Sequence, residues 1–191
     1  MYSLTDDKIL YALNADKLFV PGSVTKLLTE RRRVIAARRR LSISHARVSH
    51  GTSFQNGRAA AQSDGAGAAA YFTPDFMVRY LAFMTKQKDF RRFYDSLPIM
   101  GRDGTLADTG RNLPVAGKLR AKTGTHVAGD LLNEQYIVNG KGLAGYLETK
   151  DGKQIIVAIF VNHLPVVPEM SAVLKVGDAL AEIAAAAYDA R

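Results

Sequence analysis

Two short motifs hold residue types that can together carry out acyl transfer. Ser23 and Lys26 are three positions apart in residues 23–26, Ser-Val-Thr-Lys, and this spacing puts both side chains on one face of a helix. A serine hydroxyl is a poor nucleophile at neutral pH, but a neighbouring amine with a depressed pKa can accept its proton. Pro21-Gly22 precedes the serine and favours a helix start, whose partial positive charge suits a developing oxyanion. The pattern predicts a Ser23 nucleophile with Lys26 as its base.

The second motif is Lys122-Thr123-Gly124-Thr125. Glycine in a strand lets a substrate backbone lie close, the Lys and Thr groups can hold a carboxylate, and a strand edge can pair with an extended peptide. Either motif alone is weakly specific, since an ordinary helix start with a solvated lysine gives the same four letters. The two motifs in this order, one at a helix start and one on a strand, are far more specific.

The elements that must position these motifs follow from patterning. Thr73-Pro74 is a good N-cap with proline at the first helical position, and an apolar stripe at helical spacing follows it. We predict a short hairpin over residues 1–12, helices from Ser23, from Thr73, over 89–97 and from Pro168, a loop over 101–117, and strands over 118–123, 142–149 and 154–162. This order of strands and helices predicts an α+β fold with an antiparallel sheet.

The motifs and their flanks resemble the class C low-molecular-mass penicillin-binding proteins, which are D-alanyl-D-alanine carboxypeptidase/endopeptidases. The resemblance rests on residues 19–29, 73–74, 97–106, 119–125 and 143–146. It implies a β-lactamase/transpeptidase-like antiparallel sheet flanked by helices, with Ser23 acylated, Lys26 as the base and Lys122, Thr123, Gly124 and Thr125 binding the substrate carboxylate. It also implies peptidoglycan stem peptides and β-lactams as partners, a periplasmic or cell-envelope location, and no metal or organic cofactor.

One family element is missing. The family carries a Ser-x-Asn triplet between the other two motifs, and this sequence contains none. The family's inserted domains are also largely absent, so we expect an internally deleted, single transpeptidase-like domain over 1–191 in which residues 31–62 form an irregular or aberrant segment. Codon degeneracy allows residues near 31–51 to be a shifted-frame translation of the family pattern. Gene sequencing tests this hypothesis, and codons incompatible with the second frame would end it.

The net charge of +8 has one source. Residues 31–58 hold eight arginines without lysine or acidic residues, while the rest of the chain has 18 basic and 18 acidic residues. Such a run of arginines is also found in nucleic-acid-binding arms and on solvated helix faces. We prefer the shifted-frame translation as its explanation, and we predict no nucleic-acid partner. The absence of an 18-residue apolar run predicts no membrane span, and Met1-Tyr2-Ser3-Leu4 does not start a signal peptide.

Three function classes therefore stay open. The chain is a serine acyl-transfer enzyme acting on cell-wall peptides, a catalytically inactive remnant of that family, or a basic nucleic-acid-binding module that uses Arg31–Arg58. Covalent labelling by a fluorescent penicillin separates the first class from the others. A strongly salt-dependent affinity for DNA or RNA would favour the third.

Overall fold

The computed structural model describes residues 1–28 and 71–189. The predictions for Arg31–Arg58, for the aberrant segment 31–62 and for the shifted frame near 31–51 lie outside the described residues. The single-domain assignment over 1–191 accordingly stays a prediction.

The described residues form one six-stranded antiparallel sheet. The strands are β1 (Tyr2–Ser3), β2 (Lys8–Ile9), β3 (Leu119–Asp130), β4 (Gln135–Glu148), β5 (Gln154–Val161) and β6 (Leu164–Val166). Their order in the sheet is β2-β1-β5-β4-β3, and β6 also pairs with β4. The predicted N-terminal hairpin is confirmed, since Tyr2 pairs with Ile9. The other side of β1 pairs with β5, where Tyr2 lies opposite Ile156.

The strands around the second motif are longer than predicted. β3 continues past Thr123 to Asp130, and β4 begins at Gln135 rather than near Gly142. Residues 126–130 are poor in the β-branched and aromatic types that favour strands, and their pairing with the start of β4 overrides this weak local preference. β6 was not predicted, and it contains Pro165, a residue that sequence reasoning assigns to turns or sheet edges.

Within residues 71–189, three α-helices cover the sheet: α1 (Pro74–Thr85), α2 (Phe90–Asp95) and α3 (Met170–Asp189). The predicted cap of α1 is confirmed, because the Thr73 hydroxyl accepts a 3.0 Å hydrogen bond from Phe76 N. α3 begins two residues after the predicted Pro168. Short 3₁₀ helices occupy Gly22–Thr25 and Gly104–Leu106. None of the helices in the described ranges is long and apolar enough to cross a membrane.

The sheet has a different helix layer on each face. Leu143 and Leu147 of β4 pack with Leu180 of α3, whereas Ala144 and Tyr146 pack with α1, α2 and the segment that carries Ser23. This alternation follows from the two-residue period of a strand. The predicted α+β arrangement, an antiparallel sheet flanked by helices, is therefore confirmed.

Lys141 is a buried charge between β4 and α3. It is 7% exposed, and a Cβ built on Gly177 of α3 would lie 3.1 Å from Lys141 Cε. Burial lowers the pKa of the Lys141 amine from its ordinary value, and the nearby Asp178 carboxylate opposes this effect. Since the unfolded chain binds this proton more tightly, the lysine destabilises the fold below its folded-state pKa.

Lys141→Met is therefore expected to raise the free energy of unfolding at neutral pH. The cost of burying the charged amine, which the variant removes, is largest below the folded-state pKa. The difference in the free energy of unfolding between the variant and the unmodified chain should therefore shrink as pH rises towards 10.5. Urea denaturation at a series of pH values measures this difference. Lys175→Met, an exposed lysine on α3, is the control. A stability difference that grows with pH would contradict the assignment.

Candidate active site

The turn that carries Ser23 lies directly against the second motif. A Cβ built on Gly124 would lie 1.9 Å from the Pro21 carbonyl oxygen and 3.0 Å from Ser23 N. On the other side of the contact, Gly22 has a φ of +52°, and its Cβ would lie 2.7 Å from Thr125 N. Distances this short cannot hold a side chain, so glycine at both positions lets the two backbones touch.

The Ser23 segment begins differently from the prediction. It starts as a 3₁₀ helix at Gly22, one residue before Ser23, and residues 26–28 continue as α-helix. The Thr25 hydroxyl donates to Gly22 O at 3.0 Å, which tightens this first turn. Ser23 is half-buried, whereas Lys26 is exposed, although a lysine that serves as a base is usually buried.

Two tyrosines connect the Ser23 segment to the sheet through α1. The Tyr80 hydroxyl donates to Leu27 O, one residue beyond Lys26, in a buried hydrogen bond of 3.0 Å. The Tyr146 hydroxyl of β4 donates to Leu81 O of the same helix at 2.8 Å. Breaking either hydrogen bond would leave a buried polar group without a partner, which is costly. Both bonds therefore fix the positions of the segments that they join. α1 therefore joins the nucleophile segment to the strand that pairs with β3.

The chain that leads into the turn is held as well. Phe19 and Phe72 exchange two backbone hydrogen bonds, of 2.8 and 3.0 Å. The next residue, Val20, lies on β4, where a Cβ built on Gly140 would be 2.2 Å from Val20 O. A side chain at position 140 is thus incompatible with this approach, and Val20 leads the chain straight to the turn at Gly22.

The second motif lies within β3, an edge strand of the sheet. Ala121 packs on the α3 face, so the alternate residues Lys122 and Gly124 project to the opposite face, where Ser23 lies. Lys122 Nζ donates to Thr123 O at 2.8 Å. The structure therefore places the backbone of the Ser23 turn against Gly124 and Thr125, with Lys122 on the same face of β3.

Thr105 is a site neighbour that sequence reasoning missed. It falls within the predicted loop over 101–117, yet the hydroxyls of Thr123 and Thr105 are 2.9 Å apart. Thr105 lies in the short 3₁₀ helix Gly104–Leu106 of this loop.

The family can now be stated from the sequence comparison. The model of the D-Ala-D-Ala carboxypeptidase 3 (S13) family matches residues 49–186. The chain belongs to this family. The S13 match covers most of the chain and includes Lys122–Thr125, while Ser23 and Lys26 precede it. It confirms the predicted resemblance to D-alanyl-D-alanine peptidases. No curated protein matches the chain.

Several solved structures are similar over part of the chain. Penicillin binding protein 4 from Haemophilus influenzae is 22% identical, with 64% of this chain and 25% of that chain covered and a TM-score of 0.45. The TLA-3 extended-spectrum β-lactamase is 21% identical, covering 63% and 42%, with a TM-score of 0.46. A β-lactamase from Chitinophaga pinensis is 18% identical, covering 63% and 43%, with a TM-score of 0.44. The S13 chain thus spans about a quarter of the penicillin-binding protein, and its family assignment rests on the family model.

Proposed function

We propose that the chain is a serine-type D-Ala-D-Ala carboxypeptidase/endopeptidase that acts on peptidoglycan stem peptides and is captured by β-lactams. The observation that carries the proposal is the backbone contact of Gly124 with Pro21 and Ser23 N. This contact puts a serine at a helix start beside an edge strand with an ammonium group and hydroxyls. Such an arrangement suits nucleophilic attack on a peptide bound along the strand.

The proposed reaction has two covalent steps. Ser23 Oγ attacks the carbonyl carbon of the penultimate D-Ala, and Lys26 takes the hydroxyl proton. The tetrahedral oxyanion, stabilised by backbone N–H groups near the helix start, collapses and expels the terminal D-Ala as an amine, which gains the proton. Water then hydrolyses the Ser23 ester and restores the hydroxyl. A β-lactam enters the same first step, but its amine leaving group stays tethered to the acyl group.

The carboxylate of the terminal D-Ala is assigned to Lys122, Thr123 and Thr125. Charge-assisted hydrogen bonds from ammonium and hydroxyl groups are stronger than neutral ones. They would hold the scissile bond over Gly124, next to Ser23. A substrate of this kind is found in the cell wall, and we therefore propose a periplasmic or cell-envelope location.

Ser23→Ala is expected to abolish covalent labelling by a fluorescent penicillin, because it removes the proposed nucleophile, and the Thr25 hydroxyl in the same turn is held by its hydrogen bond to Gly22 O. Ser171→Ala, which changes an exposed serine on α3, should label like the unmodified chain. In-gel fluorescence and mass spectrometry of the labelled peptide measure both. Full labelling of Ser23→Ala would sink the assignment of the nucleophile.

A second candidate is a catalytically inactive remnant of the S13 family. Two observations favour it: the sequence has no Ser-x-Asn triplet, and Lys26 is exposed. A remnant would bind a stem peptide reversibly and would not be labelled by penicillin. The labelling experiment on the unmodified chain therefore separates the two candidates.

A further inference from the structure

Part of the open edge of β3 is already occupied by the chain itself. Met100 N donates to Leu119 O at 2.9 Å, and Ala121 N donates to Pro98 O at 3.0 Å. Ile99 and Arg120 face each other as an antiparallel pair. Residues 98–100 therefore act as a short added strand over the beginning of β3.

This added strand must stop at Pro98. Proline has no backbone N–H, so Pro98 cannot return a hydrogen bond to Ala121 O. Leu119 and Ala121 direct their backbone groups outwards, and the alternation of a strand puts the next outward groups on Thr123 and Thr125. The pairing of β3 shifts register only after His126. Among the described residues, the part of the edge that the added strand leaves uncovered thus begins at Thr123, whose carbonyl accepts from Lys122 Nζ.

The loop after the added strand brings Thr105 to this boundary. Ile99 N donates to the Asp103 carboxylate at 2.6 Å, which closes the turn. Gly104 has a φ of +55°, and its Cβ would lie 3.1 Å from two side-chain atoms of Pro98. This close packing leaves the exposed Thr105 hydroxyl 2.9 Å from that of Thr123.

Resting on the proposed function, we propose that Thr105 is a specificity-determining residue that selects peptides ending in a free carboxylate directly after the scissile bond. A peptide that pairs antiparallel with β3 runs its carboxyl end towards residues 98–100. Ser23 contacts the strand at Gly124, and the covered edge begins at Ala121. This interval has room for one residue beyond the scissile bond. A chain that continued by a further peptide bond would run into the added strand.

The donors at this stop suit a carboxylate. The Lys122 ammonium donates to Thr123 O, and the Thr123 hydroxyl lies 2.9 Å from that of Thr105. A terminal carboxylate can accept from all three groups, whereas a terminal amide has no charge and carries an N–H₂ that competes as a donor. Thr105 adds a hydroxyl outside the Lys-Thr-Gly motif itself.

The test uses the full-length Ser23→Ala chain, which cannot turn over a peptide by the proposed route. Isothermal titration calorimetry compares an acylated D-Ala-D-Ala peptide as the free acid and as its C-terminal amide. We expect the acid to bind about tenfold more tightly than the amide, the size of a charged hydrogen-bond difference. Thr105→Val should weaken acid binding several-fold and leave amide binding unchanged, and Thr105→Ser should restore the preference. Thr109→Val, in the same loop, is the control.

The outcomes separate this inference from the proposed function. Equal affinities for acid and amide, equal losses for both peptides in Thr105→Val, or no binding of either peptide would each overturn the role of Thr105. Penicillin labelling of the chain with Ser23 intact reports on the acyl-enzyme alone. If the chain is labelled but shows no preference for the acid, only the proposed role of Thr105 is refuted. If the chain is not labelled but still prefers the acid, only the proposed enzymatic activity is refuted.

Discussion

Gly124→Ala is expected to lower the rate of penicillin labelling by at least about 100-fold, since displacing reacting groups by roughly 1 Å has effects of this size. The added Cβ would lie 1.9 Å from Pro21 O and 3.0 Å from Ser23 N. Both atoms belong to the backbone, so the turn or the strand must move. That movement separates the nucleophile from the strand that binds the substrate.

Gly129→Ala is the matched control on the same strand. A Cβ built there has no heavy atom within 4 Å, so the labelling rate should stay unchanged. In urea denaturation Gly124→Ala should also lose about 1–3 kcal/mol, the usual cost of overpacking. Equal labelling rates in the two variants would show that the contact of Gly124 with Pro21 does not control the site.

Tyr146→Ala is expected to lower the free energy of unfolding by about 3–5 kcal/mol, as for other large-to-small changes of buried aromatic residues. Tyr146 is 1% exposed. Its ring meets Phe90 and Phe93 edge-on, with centroids 5.3 and 6.5 Å away. The variant leaves a cavity between β4 and the two helices α1 and α2.

One further variant separates the contribution of the Tyr146 hydroxyl from that of its ring, and another serves as a control. Tyr146→Phe keeps the ring but removes the 2.8 Å hydrogen bond to Leu81 O, and should cost about 1 kcal/mol. Tyr11→Ala, at a position that is 57% exposed, should change stability by less than about 0.5 kcal/mol. Urea midpoints measure all three variants. A Tyr146→Ala midpoint close to that of Tyr11→Ala would contradict the packing described here.

The elements predicted correctly carry strong local signals. The Thr73-Pro74 cap combines a side-chain acceptor with a fixed proline φ, and both act within one turn of α1. The hairpin between β4 and β5 has a Lys-Asp-Gly-Lys turn between two apolar runs. Lys122–Thr125 could be placed on a strand for a similar reason, because Leu119 and Ala121 alternate with polar residues before it.

The remaining features depend on contacts between distant residues. The second half of β3 is a strand because β4 pairs with it, and its own residues have little strand preference. The pairing of residues 98–100 with β3 joins segments that neither periodicity nor turn chemistry connects. Lys26, whose predicted role as a base favours burial, is exposed, whereas Lys141, a charged residue of a type that is usually exposed, is buried. Both depend on which elements the fold packs around them.

The sheet order has a consequence for the synthesis of the chain. β1 pairs with β5, so Tyr2 cannot pair until Ile156 has been synthesised. Val20 likewise cannot make its contact until Gly140 of β4 has been synthesised. During translation, Ser23 therefore emerges from the ribosome long before the strands that position it have been synthesised. Such distant pairings slow folding and leave apolar segments exposed for longer. A nascent chain that stopped after Asp130 would contain both motifs and still have no assembled site.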